Sequence, residues 1–332
     1  MNTISTPVTQ SMTLTGHRPN DVLDVIRARV RSSSRADGHR LALVVEGGSM
    51  RGVYTAGALV ALHIMGLWKL FDNAYGTSAG AANTAHFLSG EGHLKADSYY
   101  RVLADRRFYN PWRLGKIVDI DFFVDEVLTK LRPMEVDRVM HSVTPLWVSM
   151  GDFATARTVL FHAQAGKFPL LRILKAAAAL PIVYNKLIDL GDVRGFDAGS
   201  VSPFPLDEAL AHQNTHILVL LAKPQAFTNS PLGGLERFLL KYRFARGNKA
   251  ILDMYERAPG NCNRLRNLAH GRTNSAGATA IATVAPISES VGRTTQNCEL
   301  LQSELISAAR GTLRLFGHPE DQLDEFVRTG NL

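Results

Sequence analysis

Only two cysteines occur in the 332 residues, Cys262 and Cys298. They stand far apart and form no Cys-x-x-Cys pair, which speaks against a disulfide framework, a zinc centre and a redox dithiol. No run of about 18 apolar residues is present, so no transmembrane helix is expected. Residues Met1 to Thr15 are polar and lack the basic head and apolar core of a secretory signal, and with two unpaired cysteines the expectation is a cytoplasmic protein. Clustered metal ligands, a carboxylate-rich calcium loop, internal repeats and low-complexity tracts are likewise missing, so neither a metal nor a cofactor is expected. What is present is 45% hydrophobic and 20% charged, the balance of a globular chain able to bury a large core.

The strongest positive feature is Gly76-Thr77-Ser78-Ala79-Gly80, where the apolar stretch Leu67 to Tyr75 gives way to the small-residue helical stretch Ala79 to Leu88. A Gly-x-Ser-x-Gly elbow turns so sharply that its hydroxyl is presented at the mouth of a sheet, which makes Ser78 a candidate nucleophile. The same pattern also serves as a strand-to-helix turn without chemistry. A second glycine turn, Glu46-Gly47-Gly48-Ser49-Met50-Arg51-Gly52, follows the apolar run Leu41-Ala42-Leu43-Val44-Val45 and precedes the helical stretch Val53 to Leu62. A buried parallel strand leading into a helix N-terminus offers free N–H groups to negative charge, either a phosphate or an oxyanion. The loop lacks the Gly-Lys-Ser/Thr ending of a nucleotide phosphate loop and the glycine offsets of a dinucleotide fingerprint. Far downstream, Phe196-Asp197-Ala198-Gly199 fixes an aspartate in a tight turn, for which a solvent-facing turn is the alternative reading.

In this order and spacing the three motifs resemble the patatin-like phospholipase family, and the resemblance covers roughly Leu41 to Leu221. Leu146 to Asp152 looks like the family's central strand, and Ala176-Ala177-Ala178-Ala179-Leu180-Pro181 like its small-residue helix before the catalytic aspartate. The sequence departs from the pattern where Ser49 replaces the third loop glycine and Ala198 replaces the glycine after the aspartate. The resemblance implies a three-layer α/β/α fold with a mainly parallel sheet and helical additions. It also implies a serine lipid acyl hydrolase in which Ser78 is acylated and Asp197 serves as base, with the N–H groups of Gly47, Gly48 and Ser49 receiving the oxyanion. Arg51, Gly52, Gly76, Gly80 and Gly199 support the motifs, Arg51 by holding its loop or by facing a lipid phosphate. An acyltransferase with the same dyad, or a lipid-binding protein without turnover, are the alternatives. An aspartate at its ordinary pKa is a weak base, so the dyad requires burial to raise it.

A Ser-His-Asp triad is the rival, and among the eleven histidines His63, His86, His162, His212 and His216 lie near element ends without a distinguishing pattern. Asp152, Asp189 and Asp192 are alternative bases. Along the chain, residues 1–40 read as a flexible tail with a short helix at Asp21 to Val30 capped by Asn20. Residues 41–222 read as the α/β catalytic domain, with strands near 41–46, 70–75, 145–153, 157–162 and 216–222 and a helical insertion at about 99–140 that is either a cover for the acyl side or ordinary core. Residues 223–332 read as a mostly helical region packed on the core, with helices at Leu235 to Phe244, Lys249 to Arg257, Cys298 to Gly311 and Glu320 to Thr329 and a strand near Thr279 to Val284. The net charge is +7, and between Leu232 and Arg272 nine Lys or Arg stand against three Asp or Glu, interleaved with aromatics. That segment suggests approach to an anionic membrane surface, with a solvated charged face as the plain alternative; no nucleic-acid motif accompanies it and no nucleic acid is expected.

Overall fold

The computed structural model describes residues 11–113, 115–273, 276–330 and 332. Its centre is a nine-stranded sheet: β1 (Met12–Thr15), β2 (Leu41–Val45), β3 (Asn73–Thr77), β4 (Leu146–Asp152), β5 (Arg157–His162), β6 (Ile188–Leu190), β7 (Val193–Phe196), β8 (His216–Leu220) and β9 (Ala280–Pro286). The spatial order is β1-β9-β8-β2-β3-β4-β7-β6, with β5 also paired to β4. The five middle strands from β9 to β4 are parallel, and the outer ones run antiparallel.

Every residue of β2, β3, β8 and β9 is buried, as expected of parallel strands covered on both faces. Alternation divides them between two cores. Leu41, Leu43, Val45, Leu218 and Leu220 face one layer, while Ala42, Val44, Ile217 and Val219 face the other. The first layer contains α1 (Pro19–Ser32), α2 (Gly52–Ile64), α3 (Ala79–Leu88), the single turns α4 (Gly92–Lys95) and α5 (Ser98–Arg101), α6 (Val136–Met140) and α7 (Leu170–Ala178). The second is made by α8 (Leu206–Ala211) and the C-terminal half of α10 (Lys249–Ala269), whose Leu265, Leu268 and Ala269 join that core. The remaining helices are α9 (Gly234–Leu239), α11 (Cys298–Phe316), which packs along α2, and α12 (Asp321–Arg328). Two wider π-helical segments occur, Phe122–Leu131 and Leu240–Ala245, the second continuing α9.

Several boundaries differ from the expectation. Of the tail assigned to residues 1–40, residues 1–10 lie outside the described residues, and the rest is built into the fold. Strand β1 pairs with β9, and α1 buries Val22, Leu23, Val25 and Ile26. Its first residue is Pro19, so Asn20 is not the cap; proline suits that position because the missing N–H has no intrahelical acceptor. Residues 223–332 do more than pack helices on the core, because β9 lies within the sheet between β8 and β1. Helix α10 runs twelve residues beyond Arg257, through Pro259, which sequence logic takes as a stop. The burial of Ala258, Cys262 and Leu265 on either side of the proline keeps the helix continuous. In the insertion, Phe122, Val124, Val127 and Leu128 are buried and Trp112 is exposed.

Arg29 ties α1 to the sheet although its side chain is 1% exposed. Its guanidinium donates to Asp37 (2.7 and 2.9 Å), Asp72 (2.8 Å) and the carbonyl oxygens of Leu70 and His39 (2.6 and 2.9 Å). Removing one member of such a network strands the others without a counter-charge. Arg29→Ala is expected to lower unfolding stability by about 3 kcal/mol in urea titration, and Arg29→Lys to recover little of it, because an ammonium group does not supply the planar fork.

Candidate active site

In an open α/β sheet the crevice lies beyond the carboxyl ends of strands where the winding direction reverses. That reversal falls at β2: the chain proceeds through β3 to β4 on one side, then returns to build β8 and β9 on the other. Both glycine turns leave the sheet at this end, one after β2 and one after β3.

Ser78 sits between β3 and α3 with φ 53° and ψ −129°, a left-handed conformation that a non-glycine residue adopts at a cost. The turn closes because Gly76 and Gly80, two residues to either side, lack side chains. A Cβ on Gly80 would lie 2.6 Å from the carbonyl oxygens of Val45 and Glu46, and one on Gly76 would lie 2.6 Å from the Ala81 Cα. The two turns thus meet backbone to backbone. Ser78 Oγ donates to Asp197 Oδ2 at 2.5 Å across 119 residues of sequence.

Asp197 follows β7, with its N–H donating to the Ala179 carbonyl at 3.0 Å. Its Oδ1 accepts from the Gly199 N–H at 2.7 Å, and a Cβ on Gly199 would lie 2.9 Å from that oxygen, which accounts for glycine there. Ala198 does not have a positive φ, so the departure from glycine at that position carries no backbone strain. Burial raises the Asp197 pKa to about 6 against the opposing effects of the Ser78 hydroxyl, the Gly199 N–H and the Arg293 charge. The carboxyl therefore titrates in the range of a working base.

Along the loop after β2, the Gly47 N–H donates to the Pro203 carbonyl at 3.3 Å, which removes it from the expected set of free donors. The N–H groups of Gly48 and Ser49 have no hydrogen-bond partner among the described residues. Ser49 adopts φ 55°, a conformation that glycine would hold without strain. Arg51 pairs with Glu289, its Nε donating to Oε1 at 2.5 Å, and so anchors the loop to the segment after β9. Gly52 leaves room for the Tyr99 hydroxyl, which donates to Asn83, which in turn donates to the Gly52 carbonyl at 3.0 Å.

Beneath the loop lies a buried charge cluster that the sequence analysis did not find. Glu46 accepts from the Ala222 N–H at 2.8 Å and from Arg266, with Lys223 Nζ at 3.5 Å. Burial pushes the Glu46 pKa up, but Arg266, Lys223 and the Ala222 N–H outweigh it and keep the pKa below the ordinary value. The available signal was a charge directly after five apolar strand residues. Its partners, 177 and 220 positions away, carry no local mark.

No histidine hydrogen-bonds to Ser78 or Asp197 among the described residues. His86 and Ser78 line one cavity, but burial lowers the His86 pKa to about 4. His63 stacks on His93, His162 on Trp147, His212 meets the Tyr75 hydroxyl and His216 meets Thr215. Asp152 organises its own turn through Thr155 and Ala154, and Asp189 accepts from the Gly191 N–H. No group of three or more potential metal ligands exists among the described residues, and no helix there is long and apolar enough to cross a membrane.

A narrow cavity of about 50 Å³ opens beside Ser78, walled by Leu103, Phe108, Ile120, Phe123, Leu128 and Leu180. Most of this wall comes from the insertion. Of the basic residues between 232 and 272, Arg266 is the buried partner of Glu46, Arg264 pairs with Asp207 and Arg237 with Glu256. The charge excess of the segment is thus partly internal.

Among known proteins, the family described as Patatin-like phospholipase matches residues 43–210. The uncharacterized protein YjjU of Escherichia coli (strain K12) is 28% identical over 191 residues, which are 55% of this chain and 51% of that protein. The chain therefore spans about half the length of this curated relative. Among solved structures, VipD from Legionella pneumophila aligns with 11% identity and a TM-score of 0.42, over 85% of this chain and 67% of its own. The type III effector protein ExoU aligns with 13% identity and a TM-score of 0.29, over 83% of this chain and 62% of its own.

The raised pKa of Asp197 has a cost in stability. The native state holds this proton more tightly than the unfolded chain, so the contribution is complete below about pH 4 and is lost as pH rises through about 6. Asp197→Asn is expected to be more stable than the parent at pH 8, by up to about 3 kcal/mol, with the difference vanishing at pH 4. Thermal melts of both proteins across that range test the sign.

Proposed function

The chain belongs to the patatin-like phospholipase family, and from that premise we propose that it is a serine lipid acyl hydrolase working through a Ser78–Asp197 dyad and an acyl-enzyme. The observation that carries the proposal is the 2.5 Å hydrogen bond from Ser78 Oγ to a buried carboxylate whose pKa is raised to about 6.

Attack by Ser78 Oγ on the ester carbonyl carbon forms the C–O bond while its proton passes to Asp197 Oδ2. The developing oxyanion is received by the Gly48 and Ser49 N–H groups, with Gly47 left to brace the loop through Pro203. Fixed donors of this kind are typically worth about 10² to 10³ in rate each. Collapse of the intermediate breaks the ester bond, and the departing alcohol takes the proton from Asp197. Water then gives its proton to the same carboxylate as it attacks the acyl-serine, and the fatty acid leaves as Ser78 recovers its hydrogen.

The apolar wall of the cavity supports an acyl chain as the occupant. Its present volume is far below the roughly 300 Å³ of an ordinary ligand pocket, so Phe123 and its neighbours move apart when a chain enters. A phospholipid or another acyl-ester lipid fits this reading; a transferase would differ only in what attacks the acyl-serine.

Ser78→Ala and Asp197→Asn are each expected to lower ester hydrolysis at least about 10³-fold, and Ser78→Ala to abolish labelling by a fluorophosphonate. Folded wild-type protein that resists the label overturns the proposal. The acidic limb of kcat/KM is expected near pH 6, with activity falling below it, because a protonated Asp197 does not accept the Ser78 proton. Phe123→Ala is expected to raise the preference for decanoyl over butyryl p-nitrophenyl esters several-fold.

A further inference from the structure

The segment Gly234–Ala245 has two unlike sides. Leu240, Phe244 and Ala245 are buried in a core with Phe196 and Ala198, the residues flanking Asp197, and the Phe244 ring lies 5.3 Å from that of Phe196. On the other side Leu235, Phe238 and Tyr242, at helical spacings of three and four, are 74%, 57% and 62% exposed. Phe238 and Tyr242 pack ring to ring at 4.7 Å and stack on no other ring among the described residues. Monomeric proteins rarely leave such a strip bare without a partner for it.

A second element adds to this surface. Trp112 is 87% exposed on the loop between the cavity-lining residues Phe108 and Ile120 of the insertion. That loop meets the segment at Gly115, where the place of a Cβ is 3.7 Å from the Arg243 guanidinium. Four of the seven large hydrophobic side chains that are exposed among the described residues are therefore on these two neighbouring elements.

Where the segment ends, directly after Tyr242 in the chain, lies a cleft of about 500 Å³ lined by Arg243, Phe244, Ala245 and Arg246 together with Lys186 and Arg194, with no carboxylate in its lining. Lys186 pairs with Asp121 and Arg194 lies over the Phe153 ring, while Arg243 and Arg246 have no carboxylate partner among the described residues. Lys241 contacts the Tyr242 ring, at 5.1 Å. Aromatic and leucine side chains bordered by unpaired cations match the interface of an anionic bilayer, where rings sit at head-group depth and cations meet lipid phosphates and carboxylates.

We propose that Trp112, Leu235, Phe238 and Tyr242 insert into an anionic phospholipid bilayer while the Lys186–Arg194–Arg243–Arg246 cleft receives its head groups. Docking here brings the lipid against the two elements that hold the catalytic aspartate and wall the acyl cavity. The purpose of the surface rests on the acyl hydrolase reading, but its test does not.

The full chain is sedimented with vesicles of phosphatidylcholine alone or with about 30% phosphatidylserine at 0.1 M salt, a concentration at which screening acts over about 10 Å. Wild type is expected to partition onto the anionic vesicles. The triple variant Trp112→Ala/Phe238→Ala/Tyr242→Ala is expected to bind them at least tenfold more weakly, with melting temperature and hydrolysis of a soluble short-chain ester unchanged. Arg243→Gln/Arg246→Gln is expected to lose the preference for anionic vesicles while retaining the melting temperature. Failure of wild type to bind, or equal binding by the triple variant, overturns the surface. So does light scattering that shows a wild-type dimer made monomeric by the triple variant, because the strip then belongs to a second copy of the chain. The vesicle-binding, melting and light-scattering results do not depend on Ser78, whose own substitution tests the hydrolase reading separately.

Discussion

Backbone meeting backbone at the carboxyl end of the sheet is the constraint from which the site follows. The elbow after β3 and the loop after β2 approach so closely that a Cβ on Gly80 would collide with the Val45 and Glu46 carbonyls and one on Gly47 with the Thr77 carbonyl. Side chains at these points would drive the strands apart, so the register of β2 against β3 and the position of Ser78 are consequences of the same contact. The left-handed backbone of Ser78 persists because strands, helix and loop over-determine it.

Electrostatics divides the site into two buried carboxylates with opposite fates. Glu46 has Arg266 and Lys223 beside it and remains ionised as a brace under the loop. Asp197 has no ion-pair partner among the described residues, only two hydrogen bonds and the field of Arg293, and burial lifts its pKa toward neutrality. The difference between the two carboxylates lies in the placement of cations. Its consequence is for stability, since the ionised form of Asp197 is the one that folding disfavours.

Pieces distant in sequence converge on this small region. Strand β9 and the segment after it come from the last sixth of the chain, yet they complete the sheet and supply Glu289 to Arg51. The segment Gly234–Ala245 buries one side against the turn of Asp197 and leaves the other bare. A division of the chain at residue 222 thus follows the sequence pattern and not the packing.

Short, strongly patterned features were legible in the sequence by itself. The Leu41–Val45 strand, the Gly-x-Ser-x-Gly elbow, the glycine loop and the Asp197 turn are each set by local residue chemistry, and their order was enough to identify the family and its mainly parallel sheet. Burial, long-range pairing and competition for N–H groups were decided only by tertiary structure. Met12–Thr15 has no strong strand pattern and becomes a strand because β9 has an open edge. Helix α10 passes Pro259 because its flanking side chains are buried, and the Gly47 N–H is not free because it donates to the Pro203 carbonyl. Local propensity acts over a few residues, whereas the partner of each of these groups is brought in by a part of the chain that no local pattern announces.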